Sequence, residues 1–176
     1  MLTSLGGATF GNGLYRLHDP RDINTWNSIV TEAFPEFSRR VWCFGYDWQG
    51  SQFALDAARR DPRSSEPLVL LFEPGTGEAL EIPATFHSFH ESELVHNADA
   101  ALTTTFFEKW ARTPGARPLR ANECVGLKTP LFLGGIDDVE NLEITDLEVY
   151  WGISSQLLEQ TRGLPPGTQI GQVTIR

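Results

Sequence analysis

The residue types that do chemistry are thinly spread along this chain, and their spacing favours recognition over catalysis. His87, His90 and Glu93 recur every three residues. On a helix they share one face, and two imidazoles with a carboxylate could hold a metal ion. The same residues read equally as the polar first turns of a helix after Pro83, and the donor set is sparse, so no metal is expected. Carboxylates come in close pairs: Glu78 with Glu81, Glu91 with Glu93, Asp137 with Asp138, Glu140 with Glu143. Such pairs could do acid–base work or hold magnesium, but they also read as solvated charge on loops and helix starts. Cys43 and Cys124 lie among apolar neighbours, as buried free thiols do, and neither sits in a motif that would activate it. Gly75-Thr76-Gly77 lacks the lysine and the helix that follow a phosphate loop. No catalytic residue and no cofactor is expected.

Aromatic rings beside acids give a different signal. Tyr46 and Trp48 flank Asp47, and Tyr150 and Trp151 follow Asp146 and Glu148. An exposed ring ringed by carboxylates suits a cationic protein surface. The alternative is that these rings are core, and Trp151 reads that way. Loops tolerate exposed charge and carry binding residues on a rigid scaffold. The expected partner-binding set is therefore Asp47, Trp48, Glu78, Asp137, Asp138 and Glu140, with Trp48 as the anchor.

The charge balance agrees. Of 176 residues, 23 are Asp or Glu and 14 are Lys or Arg, giving a formal net charge of −9. Such a surface repels nucleic acid and anionic membrane and draws in a basic partner. Plain solubility would give the same composition. With 40% hydrophobic residues and rich aromatic content, the chain can build a real core. Two cysteines are too few for a disulfide framework. The N-terminus lacks the basic and apolar regions of a signal peptide, and no run is long enough to span a membrane, so a cytoplasmic location is expected.

The elements that must position these residues follow from local pattern. Leu68–Phe72 is nearly all apolar and reads as a central strand covered on both faces. Pro74-Gly75-Thr76-Gly77 turns it back into Leu80-Glu81-Ile82, a hairpin that Pro83 stops, with Thr85 or Ser88 capping a helix. Val41–Tyr46 and Gln52–Asp56 form a second hairpin around Asp47–Gly50, followed by an exposed loop at 57–66. Asp19-Pro20 starts a helix with Ile23, Trp26, Ile29, Val30, Ala33 and Phe34 on its apolar face, and Phe34-Pro35 ends it. Leu94, Ala98, Leu102, Phe106 and Trp110 predict one helix across 93–112. Val125–Leu133 suits an edge strand, 134–138 an acidic loop, and Asn141–Thr145 a short strand. A capped helix then runs to Thr161 with Gly163 as its stop, before a last strand at Gln169–Ile175. Hairpins alternating with helices point to an α+β fold with a mixed or antiparallel sheet.

Three separated segments also carry a resemblance. Phe44-Gly-Tyr-Asp-Trp-Gln-Gly-Ser-Gln-Phe-Ala-Leu-Asp56, Phe72-Glu-Pro-Gly-Thr-Gly-Glu-Ala-Leu-Glu-Ile-Pro83, and Pro130-Leu-Phe-Leu-Gly-Gly-Ile-Asp-Asp-Val-Glu-Asn-Leu-Glu143 with Val149-Tyr-Trp151 resemble the type VI secretion immunity proteins that neutralise DNase effectors. That family pairs a GAD-like N-terminal part with a C-terminal immunity domain. The chain also looks like the broader immunity superfamily named for a yeast cell-wall regulator. Gly13-Leu-Tyr-Arg-Leu-His-Asp-Pro20 is similar to the end of the GAD-like part. The resemblance implies one immunity-type domain over 1–176, with 1–40 as a shortened GAD-like extension and 41–176 as the main domain. It implies a cytoplasmic, non-enzymatic protein that binds and occludes a cognate toxin with a basic surface, first of all a DNase, and no nucleic acid. The alternatives are a small carboxylate- or metal-dependent hydrolase and an acidic adaptor unconnected with toxins. The resemblance supplies no site residues and leaves the oligomeric state unknown.

Overall fold

A computed structural model describes residues 6–165, 168 and 175. Six strands form one antiparallel sheet in chain order: β1 (Thr9–Phe10), β2 (Tyr15–Leu17), β3 (Val41–Asp47), β4 (Gln52–Arg60), β5 (Pro67–Glu73) and β6 (Glu78–Thr85). Helix α1 (Ile23–Ala33) links β2 to β3. A second, two-stranded antiparallel sheet pairs β7 (Glu123–Leu127) with β8 (Leu142–Asp146). Helix α2 (Leu147–Thr161) follows β8 directly. The fold is α+β, as the alternation of hairpins and helices implies.

Side-chain alternation divides the large sheet's two faces. Leu70 and Phe72 of β5, with Cys43 and Ala54, face a cluster built from Trp26, Val30 and Phe34 of the α1 region and Trp151 of α2. Val69 and Leu71 face the other way, into a cluster with Phe44, Phe53, Phe89 and Leu102. β5 is thus covered on both sides, which is why its sequence is a continuous apolar run. A third cluster gathers Trp48, Trp110, Leu119, Val125 and Leu142 under the small sheet.

Several local expectations are corrected. β6 passes through Pro83 to Thr85 instead of stopping there. β6 is the edge of the large sheet, where a strand proline is tolerated because one N–H row faces away from the ladder. Thr85 does cap the next helical turn, in a reciprocal capping box with Ser88. Asp19 is not a helix cap. Its carboxylate accepts from the Arg21 N–H and pairs with the Arg21 guanidinium, and α1 begins only at Ile23. The stretch expected as a loop from 57 is strand as far as Arg60, held where buried Asp56 pairs with Arg40.

The long helix expected over 93–112 is broken. A π-helical turn (Phe89–Glu93) leads into short helices at Leu94–His96, Ala98–Leu102 and Thr104–Ala111. Thr103, at φ 47°, makes the break before the last of these. Leu94 and Leu102 pack in the second cluster, whereas Phe106 and Trp110 pack in the third. One continuous stripe would have had to face both. The expected strand Gln169–Ile175 lies outside the described residues except for Ile175.

Candidate partner-binding cleft

The two sheets meet at the turn between β3 and β4. Asp47 ends β3, and its Oδ1 accepts from the N–H groups of Gln49 and Ser51, both at 2.9 Å. The small sheet lies across this turn, with the Val125 N–H donating to the Trp48 carbonyl at 2.7 Å. Trp151 of α2 donates to the Gly50 carbonyl at 2.7 Å. The Trp48 ring points inward, edge-to-face with Phe106 and Phe107 and tilted against Trp110, with its indole N–H donating to the Leu102 carbonyl at 3.0 Å.

Trp48 is 0% exposed and Asp47 4% exposed. Neither presents a side chain to a partner, so the expectation of an aromatic anchor with a flanking rim acid is corrected. The second sheet roofs the turn, and an acid can sit under it only because two backbone donors satisfy it. Burial pushes the Asp47 carboxyl up to about 7, against the pull of those donors. Tyr46, Tyr150 and Trp151 are buried as well.

The other expected residues do reach the surface. Glu78, Asp137 and Glu140 are exposed. Asp138 is half-open, pairs with Lys109 at 2.8 Å and caps the Val139 N–H, and the lysine holds its carboxyl below the usual range. Around Asp137 the structure opens a cleft of about 420 Å³. Gln49 and Ser51 line it from the β3–β4 turn, Glu73 and Thr76 from the β5–β6 hairpin, and Thr103, Phe106 and Lys109 from the broken helix. Leu127, Leu131, Asp137 and Tyr150 close it from the second half. All three segments that carried the family resemblance supply part of this lining.

Glu73 is the acid that sequence reasoning missed. Burial raises its carboxyl above the ordinary range, the Thr76 hydroxyl at 2.9 Å pulls it partly back, and the like charges of Glu78 and Asp137 push it up again. Its signal was its place at the last residue of a buried strand, one step before a Pro-Gly turn. The hairpin tip is clamped in place. Gly75 accepts from the Leu131 N–H at 2.9 Å, and an added Cβ there would meet Leu127 at 2.6 Å.

Asn141 also went unread. It is buried, its Oδ1 accepts from the Thr129 N–H, and its Nδ2 donates to the carbonyls of Thr129 and Ile136. These bonds staple the loop that carries Asp137 and Asp138. Gly135 completes it, because an added Cβ would collide with the Thr129 carbonyl oxygen.

A second depression, about 520 Å³, is rimmed by Asp19, Asp22, Asp146 and Glu148. Its acids are more committed. Asp19 holds Arg21, and Asp146 caps α2 at Glu148 and Val149 and accepts from Asn122. The N-terminal dipole of α2 further offsets its charge.

The metal and nucleophile candidates do not assemble. The His90 Nδ1 faces the Phe86 carbonyl and so carries the proton, while Nε2 accepts from the Tyr15 hydroxyl, each at 2.8 Å. His87 pairs instead with Glu91. Among the described residues, no group of three His, Cys, Asp or Glu side chains is placed to hold a metal. Both cysteines are buried and unbridged, and burial pushes the Cys43 thiol up to about 12. No helix among the described residues is long and apolar enough to cross a membrane.

Residues 84–158 match the family model described as T6SS immunity protein Tdi1, C-terminal. This region is similar to the C-terminal part of a type VI secretion immunity protein. The matched region starts on the last residues of β6 and ends inside α2, so it supplies the broken helix, the small sheet and the acidic loop of the cleft. No curated protein matches the chain. Among solved structures, the crystal structure of Atu4351 from Agrobacterium tumefaciens superposes with a TM-score of 0.55 at 13% identity, over 84% of this chain and 69% of that one. That similarity concerns the fold alone.

Proposed function

We propose that this chain is a cytoplasmic immunity protein that binds a cognate secreted toxin and occludes its active site, and that the toxin is a nuclease, first of all a DNase. The observation that carries the reading is the family match over 84–158, whose elements build most of an acid-lined cleft. The physics favours a nuclease. An enzyme that grips phosphates needs a basic groove, and an acidic protein can fill that groove in place of substrate. Asp137, Asp138, Glu140 and Glu78 form the steering rim, and the protein itself performs no catalysis. Residues 1–176 act as one unit. In it the first 40 residues contribute β1, β2 and α1 to the scaffold behind the cleft.

The test is co-purification with the product of the adjacent open reading frame, followed by a plasmid-degradation assay of that product. A stoichiometric complex in which DNA cleavage is lost supports the reading. Toxicity through some other chemistry would retain the immunity role and remove the DNase. Hydrolysis of model substrates by the isolated protein, with no complex formed, would overturn the reading as a whole.

A further inference from the structure

We infer that the 420 Å³ cleft is a socket for a single arginine side chain of the protein partner, an inference that rests on the immunity reading and names its central contact. The polar lining is rich in acceptors. Glu73 and Asp137 contribute carboxylates from two different elements, and Ser51 and the Gln49 amide carbonyl lie between the walls. The one cationic side chain in the lining, Lys109, is already paired with Asp138 at 2.8 Å. The cleft is therefore left with two negative charges that its own residues do not neutralise. They act on each other: Asp137 is among the groups that push Glu73 up, alongside burial and Glu78.

A cation entering the cleft relieves this repulsion. The rest of the lining says which cation. Phe106, Leu127 and Leu131 give apolar walls for an aliphatic stem. A guanidinium offers five donors in a planar fork, which can reach acceptors on separate elements and stack on an aromatic ring, whereas an ammonium is a compact, strongly hydrated point charge. The walls are also pre-formed. The Gly75–Leu131 backbone bond and the Asn141 staple fix the two acid-bearing segments relative to each other. A fixed socket loses little freedom on binding.

The experiment has two arms. In the first, the full chain is titrated by NMR with acetyl-Gly-Arg-Gly-amide and with its lysine and citrulline counterparts. The arginine peptide should shift the signals of Gln49, Thr76 and Phe106, the lysine peptide less, and the neutral citrulline peptide not at all. Equal shifts from citrulline, or arginine-induced shifts elsewhere only, would overturn the socket. In the second arm, Glu73→Gln with Asp137→Asn is compared with Glu140→Gln for affinity to the adjacent-frame toxin, with melting curves confirming that each variant is folded. The double variant should weaken binding by about tenfold or more and Glu140→Gln by much less, as expected when a desolvated charge pair is broken and a rim charge is not. Unchanged toxin affinity in a folded double variant removes the socket and leaves the immunity reading standing. Arginine binding in the cleft without any toxin complex keeps the socket and removes the immunity reading.

Discussion

Two turns of this protein carry acids next to an aromatic residue or a tight bend, and the structure uses them in opposite ways. The β3–β4 turn at Asp47–Gly50 lies under the small sheet, with its carboxylate spent on the backbone and its indole spent on packing. The loop at 134–140 lies in the connection between the two strands of that sheet, with Asp137 and Glu140 exposed. On paper both are polar turns between apolar strands. What separates them is whether a later part of the chain comes back to cover them. An acid near an aromatic is therefore no mark of an interface until the covering element is known.

The largest expected effect tests the covered turn. Trp48→Ala should cost about 3–5 kcal/mol, because it removes the ring at the centre of the third cluster and leaves a cavity. Urea unfolding checks it. A loss under about 1 kcal/mol would mean that the turn is less tightly roofed than described.

Next comes the pH dependence of Asp47. Its folded-state value of about 7 lies above the ordinary carboxylate value, so ionisation opposes the fold. The cost is absent below about pH 4 and grows until pH passes about 7, to on the order of 4 kcal/mol. Glu73, Tyr150, Cys124 and Arg16 are the charged or titratable groups that act on it or feel it. Asp47→Asn keeps an acceptor oxygen and cannot ionise. Its stability relative to wild type should rise between pH 5 and pH 8 by a large part of that amount. Buried His18, which burial lowers to about 4, has the opposite sign: it favours the fold at high pH, and that contribution is lost as pH falls from about 6.5 towards 4. It is present in both proteins and cancels in the comparison. A flat difference would show that Asp47 is solvated after all.

The open loop is tested by its staple. Asn141→Ala removes three hydrogen bonds and leaves the Thr129 backbone groups unpaired, at a cost of about 1–3 kcal/mol. Thermal melts read this cost. A value near zero would mean that the loop is held by other contacts and that Asp137 is not fixed by it.

The smallest effect on stability is expected at the rim. Neutralising Glu78, Asp137, Asp138 and Glu140 together should change stability by about 0.5 kcal/mol or less per site, since exposed charges and surface ion pairs are worth little. The same variant should associate with the toxin more slowly and with a flatter salt dependence in stopped-flow. An unchanged association rate would place the electrostatic contact on another face and end the use of this loop as the counterpart of the buried turn.

These contrasts mark what the sequence could disclose. The β5–β6 hairpin was legible because its determinants are local: a continuous apolar run, then Pro74 and two glycines. The capping of α2 was legible for the same reason, since Asp146 bonds to N–H groups two and three residues ahead. The break at Thr103 was not, because its cause is distant. The Trp48 indole takes the Leu102 carbonyl, and the Thr103 hydroxyl also lies 3.2 Å from that indole nitrogen. A pattern of spacings holds no trace of such a partner. The exposure of Glu78, Asp137 and Glu140 was legible because exposed charge is the default for such loop segments. Asp47 and Trp48 were misplaced because local composition does not show that β7 will lie over them.

The Trp48 ring has one more consequence. It comes from outside residues 84–158, yet it fills the centre of the cluster those residues build around Trp110, Val125 and Leu142. The matched region is thus not a cassette with its own keystone. Grafted alone onto another scaffold, it would arrive with a tryptophan-shaped hole. A chimera would keep its shape only if the host brought along the turn at 47–50, so the two parts of the chain are exchangeable only as a matched set.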